Sequence, residues 1–236
     1  MAIWALGDLH LSHAQPKPMD IFGEAWANHT GKIAANWRRV VGEEDLVIIP
    51  GDISWAMDLA GAQADLDWLA ALPGVKLLIR GNHDYWWSSI GKVRAALPPG
   101  LVALQNDHFV FGKWAVCGTR GWLCPGDEGF GGEHDEKIYR RELGRLQLSL
   151  ESAVKAGQMR LIAALHYPPF ERRTEPSGFT ELLERYGVKH CVFGHIHDPG
   201  REKLFQGERG GVVYHFVASD GVDFTPVPVS GARGKA

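Results

Sequence analysis

The sequence predicts an α/β fold with a mixed sheet, with two sheets packed as a sandwich between helices as the arrangement that accommodates its strands. Three observations predict it. Short aliphatic runs recur at 2–7 (AIWALG), 46–50 (LVIIP), 75–79 (VKLLI), 160–165 (RLIAAL) and 190–193 (HCVF), each followed at once by polar residues. Segments with helical periodicity separate them. Two further stretches, 101–117 and 212–229, hold clusters of short strand-like runs with no helix between them.

Taken in order, residues 2–7 end in a glycine and read as a buried strand. Trp26, Ile33, Trp37 and Val40 recur at spacings that share one face of a first helix. His29, Lys32 and Asn36 lie opposite and read as its solvated face. A second helix runs from Leu59 to Leu72 with Leu66, Leu69 and Leu72 inward, capped by Asp58. A third runs from Trp86 to Leu97. Runs LVALQ, HFVFG and KWAVCG within 101–118 read as a three-strand meander. The long helix spans about Glu133 to Ala156, with Ile138, Leu146, Leu150 and Val154 inward and Gly157 as its stop. Residues 178–187 form the last helix, and 212–218 and 223–229 are further strands. One domain over 1–229 is expected, followed by a disordered tail at 230–236.

Composition narrows the function classes. The chain has 236 residues, 45% of them apolar and 22% charged, as a globular protein should. A net charge of −3 supplies no general field for nucleic acid or acidic membranes. No apolar stretch reaches the length of a membrane span, and the N-terminal apolar run, broken by Asp8 and His10, makes a poor signal peptide. Cys117, Cys124 and Cys191 are an odd number without zinc-finger spacing. Reduced, buried thiols in a cytoplasmic protein are expected.

Chemistry enters where the polar residues fall. Asp8 and His10 follow the first strand, Asp52 the second, and Asn82, His83 and Asp84 the third. His166 follows the strand at 160–165, and His195 and His197 the one at 190–193. The C-terminal ends of strands form the ligand crevice of open α/β sheets. Carboxylate, amide and imidazole donors without thiolate suit borderline cations, and so many histidines argue against Ca or Mg alone. Seven donors exceed one open site, whereas two metals sharing a carboxylate accommodate them and suit displacement at phosphorus.

The blocks GDLH (7–10), GDIS (51–54), GNHD (81–84), His166 and GHIH (194–197) resemble the signature of the calcineurin-like binuclear metallophosphoesterases. The resemblance implies a four-layer αββα sandwich of two mixed sheets flanked by helices. It also implies Asp8, His10 and His197 on one metal, Asn82, His166 and His195 on the other, and Asp52 bridging. His83 resembles the family's catalytic histidine. The implied activity is hydrolysis of a phosphate monoester or diester by a hydroxide between two divalent ions, with Mn first and Fe, Zn or Ni as alternatives. A nuclease acting on single strands and a non-catalytic metal-binding scaffold are the competing readings; nucleic acid enters only as a substrate. Arg120, in a Gly-flanked turn, and Tyr167, beside a ligand, are candidate substrate contacts. Asp84 is read as a hydrogen-bonding partner for its own loop. His13 and His134 are read as surface polar residues. Lys137, Arg140 and Arg141 form a small solvated basic cluster, and Gly-rich 125–134 is a candidate mobile loop. Trp55, Trp86, Trp87 and Trp122 are core residues first and pocket walls second.

Overall fold

Short, continuously apolar runs with no polar alternation suit strands buried on both faces, and that is how most of them are used in the computed structural model. The structure describes residues 1–197 and 202–231. Within these, the chain forms two compact units, 1–103 with the segment from Val217 onward, and Leu104–Phe216.

In the first unit, strands β1 (Ile3–Ala5), β2 (Leu46–Pro50), β3 (Val75–Ile79) and β4 (Leu101–Ala103) are parallel, and β11 (Val227–Ser230) runs antiparallel to β1. They form a five-stranded sheet ordered β11-β1-β2-β3-β4. Helices α1 (His29–Val40), α2 (Leu59–Ala70) and α3 (Ile90–Ala96) complete the unit. Ile33 and Trp37 of α1 and Leu66 and Leu69 of α2 share one core with Val47, Ile49 and Leu78 of the sheet. Burying side chains of this kind contributes roughly 1.5–3 kcal/mol each. Asp58 caps α2 as the sequence suggests, its Oδ1 accepting from the Gly61 N–H at 2.8 Å.

In the second unit, strands β6 (Trp114–Thr119), β7 (Leu161–Leu165), β8 (His190–Phe193) and β10 (Val212–Phe216) are parallel. At the edges, β5 (His108–Phe111) and β9 (Gly207–Arg209) are antiparallel. The six-stranded sheet is ordered β5-β6-β7-β8-β10-β9. Helix α4 (Gly132–Lys155) packs on β6, and α5 (Gly178–Arg185) packs on α4. A capping box starts α5, the Ser177 and Thr180 side chains each taking the other's backbone N–H. Gly157, at φ +77°, follows the end of α4 in a conformation that favours glycine.

Two mixed sheets flanked by five helices are thus the α/β class predicted. Several local expectations change. The meander divides: β4 extends the first sheet beside β3, while β5 and β6 form a hairpin in the second. Trp26 ends a short 3-10 turn (Glu24–Trp26) rather than starting α1, although it is buried. The helix expected from Trp86 begins at Ile90, because Trp86 and Trp87 are drawn into the core by the loop before it. Val154 is 48% exposed; Ala153 takes the inward position. Ser230 belongs to β11, Gly231 follows it, and the rest of the expected tail, 232–236, lies outside the described residues. Among the described residues no helix is long and apolar enough to cross a membrane.

One buried charge in the first unit has a consequence for stability. Lys76 on β3 is buried, and its Nζ donates to the Ala70 and Leu72 carbonyls at the end of α2. Burial pushes its amine down to about 8, with Glu43 acting weakly the other way. The unfolded chain then binds one more proton than the folded one between pH 8 and about 10.5, so stability rises with pH across that window. Relative to Lys76→Met, the wild-type unfolding free energy should climb by up to about 1.4 kcal/mol per pH unit there. Urea unfolding of both proteins at several pH values measures the difference; a flat one rejects the assignment.

Candidate metal centre

The first unit's predicted donors sit on loops that extend the parallel ladder beyond the strands. After β1, the Asp8 N–H donates to the Gly51 carbonyl at 3.0 Å and the His10 N–H to the Asp52 carbonyl at 2.9 Å. The Leu11 N–H continues to the Ile53 carbonyl at 2.9 Å. Two loops are thereby zipped side by side, and Asp8, His10 and Asp52 are all buried. A carboxylate oxygen of Asp8 lies within 4.8 Å of a ring nitrogen of His10 and of a carboxylate oxygen of Asp52. His10 Nε2 is 3.8 Å from Asp52 Oδ2.

The GNHD loop after β3 is fastened to the same place. The His83 N–H donates to Asp52 Oδ1 at 2.8 Å. Gly81 lies so close to Asp52 that a Cβ would strike its Oδ1 and backbone nitrogen, which explains the glycine. Asn82 and His83 are half-buried. Asp84, fully buried, accepts from the Gly81 N–H (2.7 Å), the Ile53 N–H (2.9 Å), the Ser54 N–H (3.2 Å) and Trp86 Nε1 (2.9 Å). It staples the GNHD loop to the GDIS loop, the loop-bonding role expected of it. Burial pushes its carboxyl above the usual Asp range, and these four donors pull the other way.

Aromatic rings hold the histidines. Trp55 stacks on His10 at 4.9 Å and 24°, and its centroid is 4.6 Å from that of His83. Lys17 Nζ sits 3.5 Å from the Trp55 centroid. His29 departs from the solvated face expected of it: it is buried between Trp26 and Phe224, with Nε2 3.3 Å from the His10 carbonyl. Burial lowers its pKa. The pattern missed this because Phe224, far along the chain, supplies one wall. Asp65, not singled out by the sequence, is buried on α2 and joins His13 Nδ1 (2.8 Å) to the Ser54 hydroxyl. His13 is therefore a partner of the GDIS loop rather than a plain surface residue.

In the second unit His166 follows β7 and is fully buried. The N–H groups of His166 and Tyr167 both donate to the Arg120 carbonyl at 3.0 Å, tying this turn to the one after β6. The loop after β8 carries His195 and His197, both half-buried. His195 Nδ1 lies 3.2 Å from His166 Nε2. Tyr167 lies against His195 with centroids 3.9 Å apart. The Arg120 guanidinium is 3.9 Å from buried Glu142 and 4.6 Å from the Trp122 ring centroid. Asp135, in the first turn of α4, accepts from Trp122 Nε1 (3.1 Å) and from the Gly131 N–H (2.9 Å). Arg140 and Arg141 of the basic cluster pair with Glu136 and Glu142, and His134 is exposed as expected.

Backbone strain follows the predicted donors. Asp8, His10, Asp52 and His195 all have φ between +48° and +75°, a region that costs most L-residues about 1–2 kcal/mol. Such strain concentrates where side-chain aim matters. The cysteines take no part: burial pushes the Cys117 and Cys124 thiols up to about 12 and Cys191 higher still.

Comparison with known proteins adds an independent line. A protein described as Gene 66 protein, from Mycobacterium phage D29, is 42% identical over 85 residues, 35% of this chain and 40% of that protein. Its namesake from Mycobacterium phage L5 is 37% identical over 81 residues, 34% of this chain and 39% of that protein. The chain thus spans about two fifths of the length of the curated relatives it matches. Phosphopantetheinyl hydrolase from Mycobacterium tuberculosis shares the fold with a TM-score of 0.58 at 14% identity, covering 100% of this chain and 98% of that one. The protein TT1561 of Thermus thermophilus does so at 0.51 and 13%, covering 98% of each chain. The candidate metal-ligand groups above suit a metal-dependent family, and the family model for calcineurin-like phosphoesterases matches residues 1–199, so this chain belongs to the calcineurin-like phosphoesterase family, whose members are metal-dependent.

Proposed function

We propose that the protein is a metal-dependent phosphoesterase that hydrolyses a phosphate monoester or diester. Asp8, His10 and His197 would hold one divalent ion, Asn82, His166 and His195 a second, and Asp52 both; Mn is the first candidate, with Fe, Zn or Ni as alternatives. The observation that carries the reading is the 3.2 Å separation of His166 Nε2 and His195 Nδ1. Metal–nitrogen bonds of about 2.0–2.1 Å place neighbouring ligands of one ion roughly 3.0–3.4 Å apart. Imidazole nitrogens this close either share a proton or ligate one cation, and the metal dependence of the family favours the cation.

The first unit supports the same reading. Two buried carboxylates, Asp8 and Asp52, offer oxygens within 4.8 Å of each other, and like charges this close and this dry call for a cation. The bound ions supply charge for the phosphoryl oxygens and acidify water. His83, anchored to Asp52 through its backbone, donates a proton to the leaving oxygen. Trp55 fixes the rings of His10 and His83, and Tyr167 that of His195. Tyr167 and Arg120 stand beside these groups as substrate contacts.

The test measures metal per chain, then Mn-dependent hydrolysis of a chromogenic phosphate monoester, the matching diester and labelled single-stranded DNA and RNA. Two ions per chain are expected, with turnover of the monoester or diester that a chelator abolishes. Asp52→Asn should lose metal and turnover together. Protein that carries two ions and turns over none of these compounds would end the proposal, and cleavage of the strands alone would replace it with a nuclease.

A further inference from the structure

A cavity of about 360 Å³ opens in the second unit beside His195 and Tyr167, within the size range of small-molecule sites. We propose that it binds a nucleobase-class ring, so that the ester hydrolysed is a nucleoside phosphate; this rests on the phosphoesterase reading above. Its apolar lining includes Trp122, Leu123, Pro168 and Ile196. Trp122 is a fixed platform rather than a loose side chain. Its Nε1 donates to Asp135 at 3.1 Å, the Arg120 guanidinium lies 4.6 Å from its ring centroid, and the Tyr167 ring is 5.2 Å away. A flat ligand ring gains most from an aromatic surface already held in place.

The polar lining sets the class of ring. Arg172 and Arg173 line the cavity from consecutive left-handed backbone positions, φ +46° and +71°. Two adjacent non-glycine residues in that region are costly and need outside support. Asp127 Oδ1 accepts the Arg172 N–H at 2.6 Å, the Phe205 N–H donates to the Arg173 carbonyl at 3.0 Å, and the Glu171 N–H reaches the Glu175 carbonyl at 3.0 Å. Asp127 and Glu128 share the lining with the two arginines. Two formal positive and two formal negative charges cancel, which disfavours a second bare phosphate. They leave hydrogen-bond donors and acceptors in the same lining as the aromatic ring. A neutral planar heteroaromatic ring with both kinds of group at its edge satisfies all of it. His195 lies at the margin of the same cavity, so a ring held there would place its attached phosphate toward the proposed metal ligands. The net charge of −3 favours a nucleotide over a long strand.

Two measurements test this on the full chain. The first follows the binding of adenosine, which has no phosphate to hydrolyse, to metal-free protein by titration calorimetry. Saturable binding is expected, weakened roughly ten-fold by Trp122→Ala and much less by Trp122→Phe, which keeps a stacking face. The second compares kcat/KM for adenosine monophosphate and glycerol phosphate in Mn-loaded protein. Trp122→Ala should lower the first about ten-fold more than the second. Absence of saturable adenosine binding, or equal loss on both esters, overturns the inference even if the chain is a phosphoesterase. Adenosine binding without hydrolysis of either ester or of the chromogenic diester instead removes the phosphoesterase reading and leaves the ring site standing. Tighter capture of an oligonucleotide than of the mononucleotide overturns the choice of a nucleoside phosphate.

Discussion

Asp84→Ala should destabilise the protein by about 3–5 kcal/mol, the range for removing one partner of a buried charged network. At roughly 2–4 °C per kcal/mol for a chain of this size, the melting temperature should fall by about 10 °C. The reason is local and needs no bound ion. Four donors end on this one buried carboxylate: the N–H groups of Ile53, Ser54 and Gly81, and Trp86 Nε1. Truncation strands all four in a place that water does not reach, at roughly 1–3 kcal/mol for each donor left unpaired, offset in part by relaxation. Asp84→Asn keeps an acceptor for some of the donors but turns its amide N–H toward others, so an intermediate loss is expected. Thermal and urea unfolding of metal-free protein measure this directly. A loss below about 1 kcal/mol for Asp84→Ala would mean that the GDIS and GNHD loops hold their shape without the staple. The same substitution should weaken metal retention, because the Asp84 loop also carries the His83 N–H that holds Asp52.

Some of this was legible in the sequence, for reasons that can be named. Runs such as LVIIP and VKLLI are long enough to be read as strands, and the abrupt change to polar residues marks where each ends. Asp58 directly precedes a helical run, where a cap is the favoured reading, and it is one. Three-residue strands carry no period, so β4 reads as one run with the hairpin after it and polar β9 leaves no strand signal. Residues buried by distant partners were equally hidden. His29 looks solvated on a helical wheel, but Phe224 closes over it from the far end of the chain. Asp65 lies on a helix face rich in alanine and leucine, and only the folded chain shows Ser54 and His13 waiting for it. The loops that bear the proposed ligands were placed from sequence because glycine and the strand end fix them. The rings that orient those ligands were not, since Trp55 over His10 and Tyr167 over His195 depend on side-chain packing that spacing does not encode.

His83→Asn is expected to separate proton donation from metal retention. The His83 backbone N–H, not its ring, holds Asp52 Oδ1 at 2.8 Å, so an asparagine keeps that bond and the loop geometry with it. Its ring lies beside those of Trp55 at 4.6 Å and Tyr85 at 6.1 Å, a lateral packing that asparagine only partly fills. Bound metal should therefore remain near the wild-type level. Turnover should fall about 10²–10⁴-fold on an alkyl ester, whose leaving oxygen needs a proton in the transition state. On a nitrophenyl ester, whose leaving group departs as a stable anion, the fall should be much smaller. A series of esters graded by leaving-group pKa turns this into a slope: the plot of log kcat/KM should be steeper for the variant than for wild type. Parallel lines would show that His83 serves binding or loop structure alone. A matched loss of metal and turnover would place the fault in the Asp52 anchor, since proton transfer by an imidazole leaves the ion content untouched.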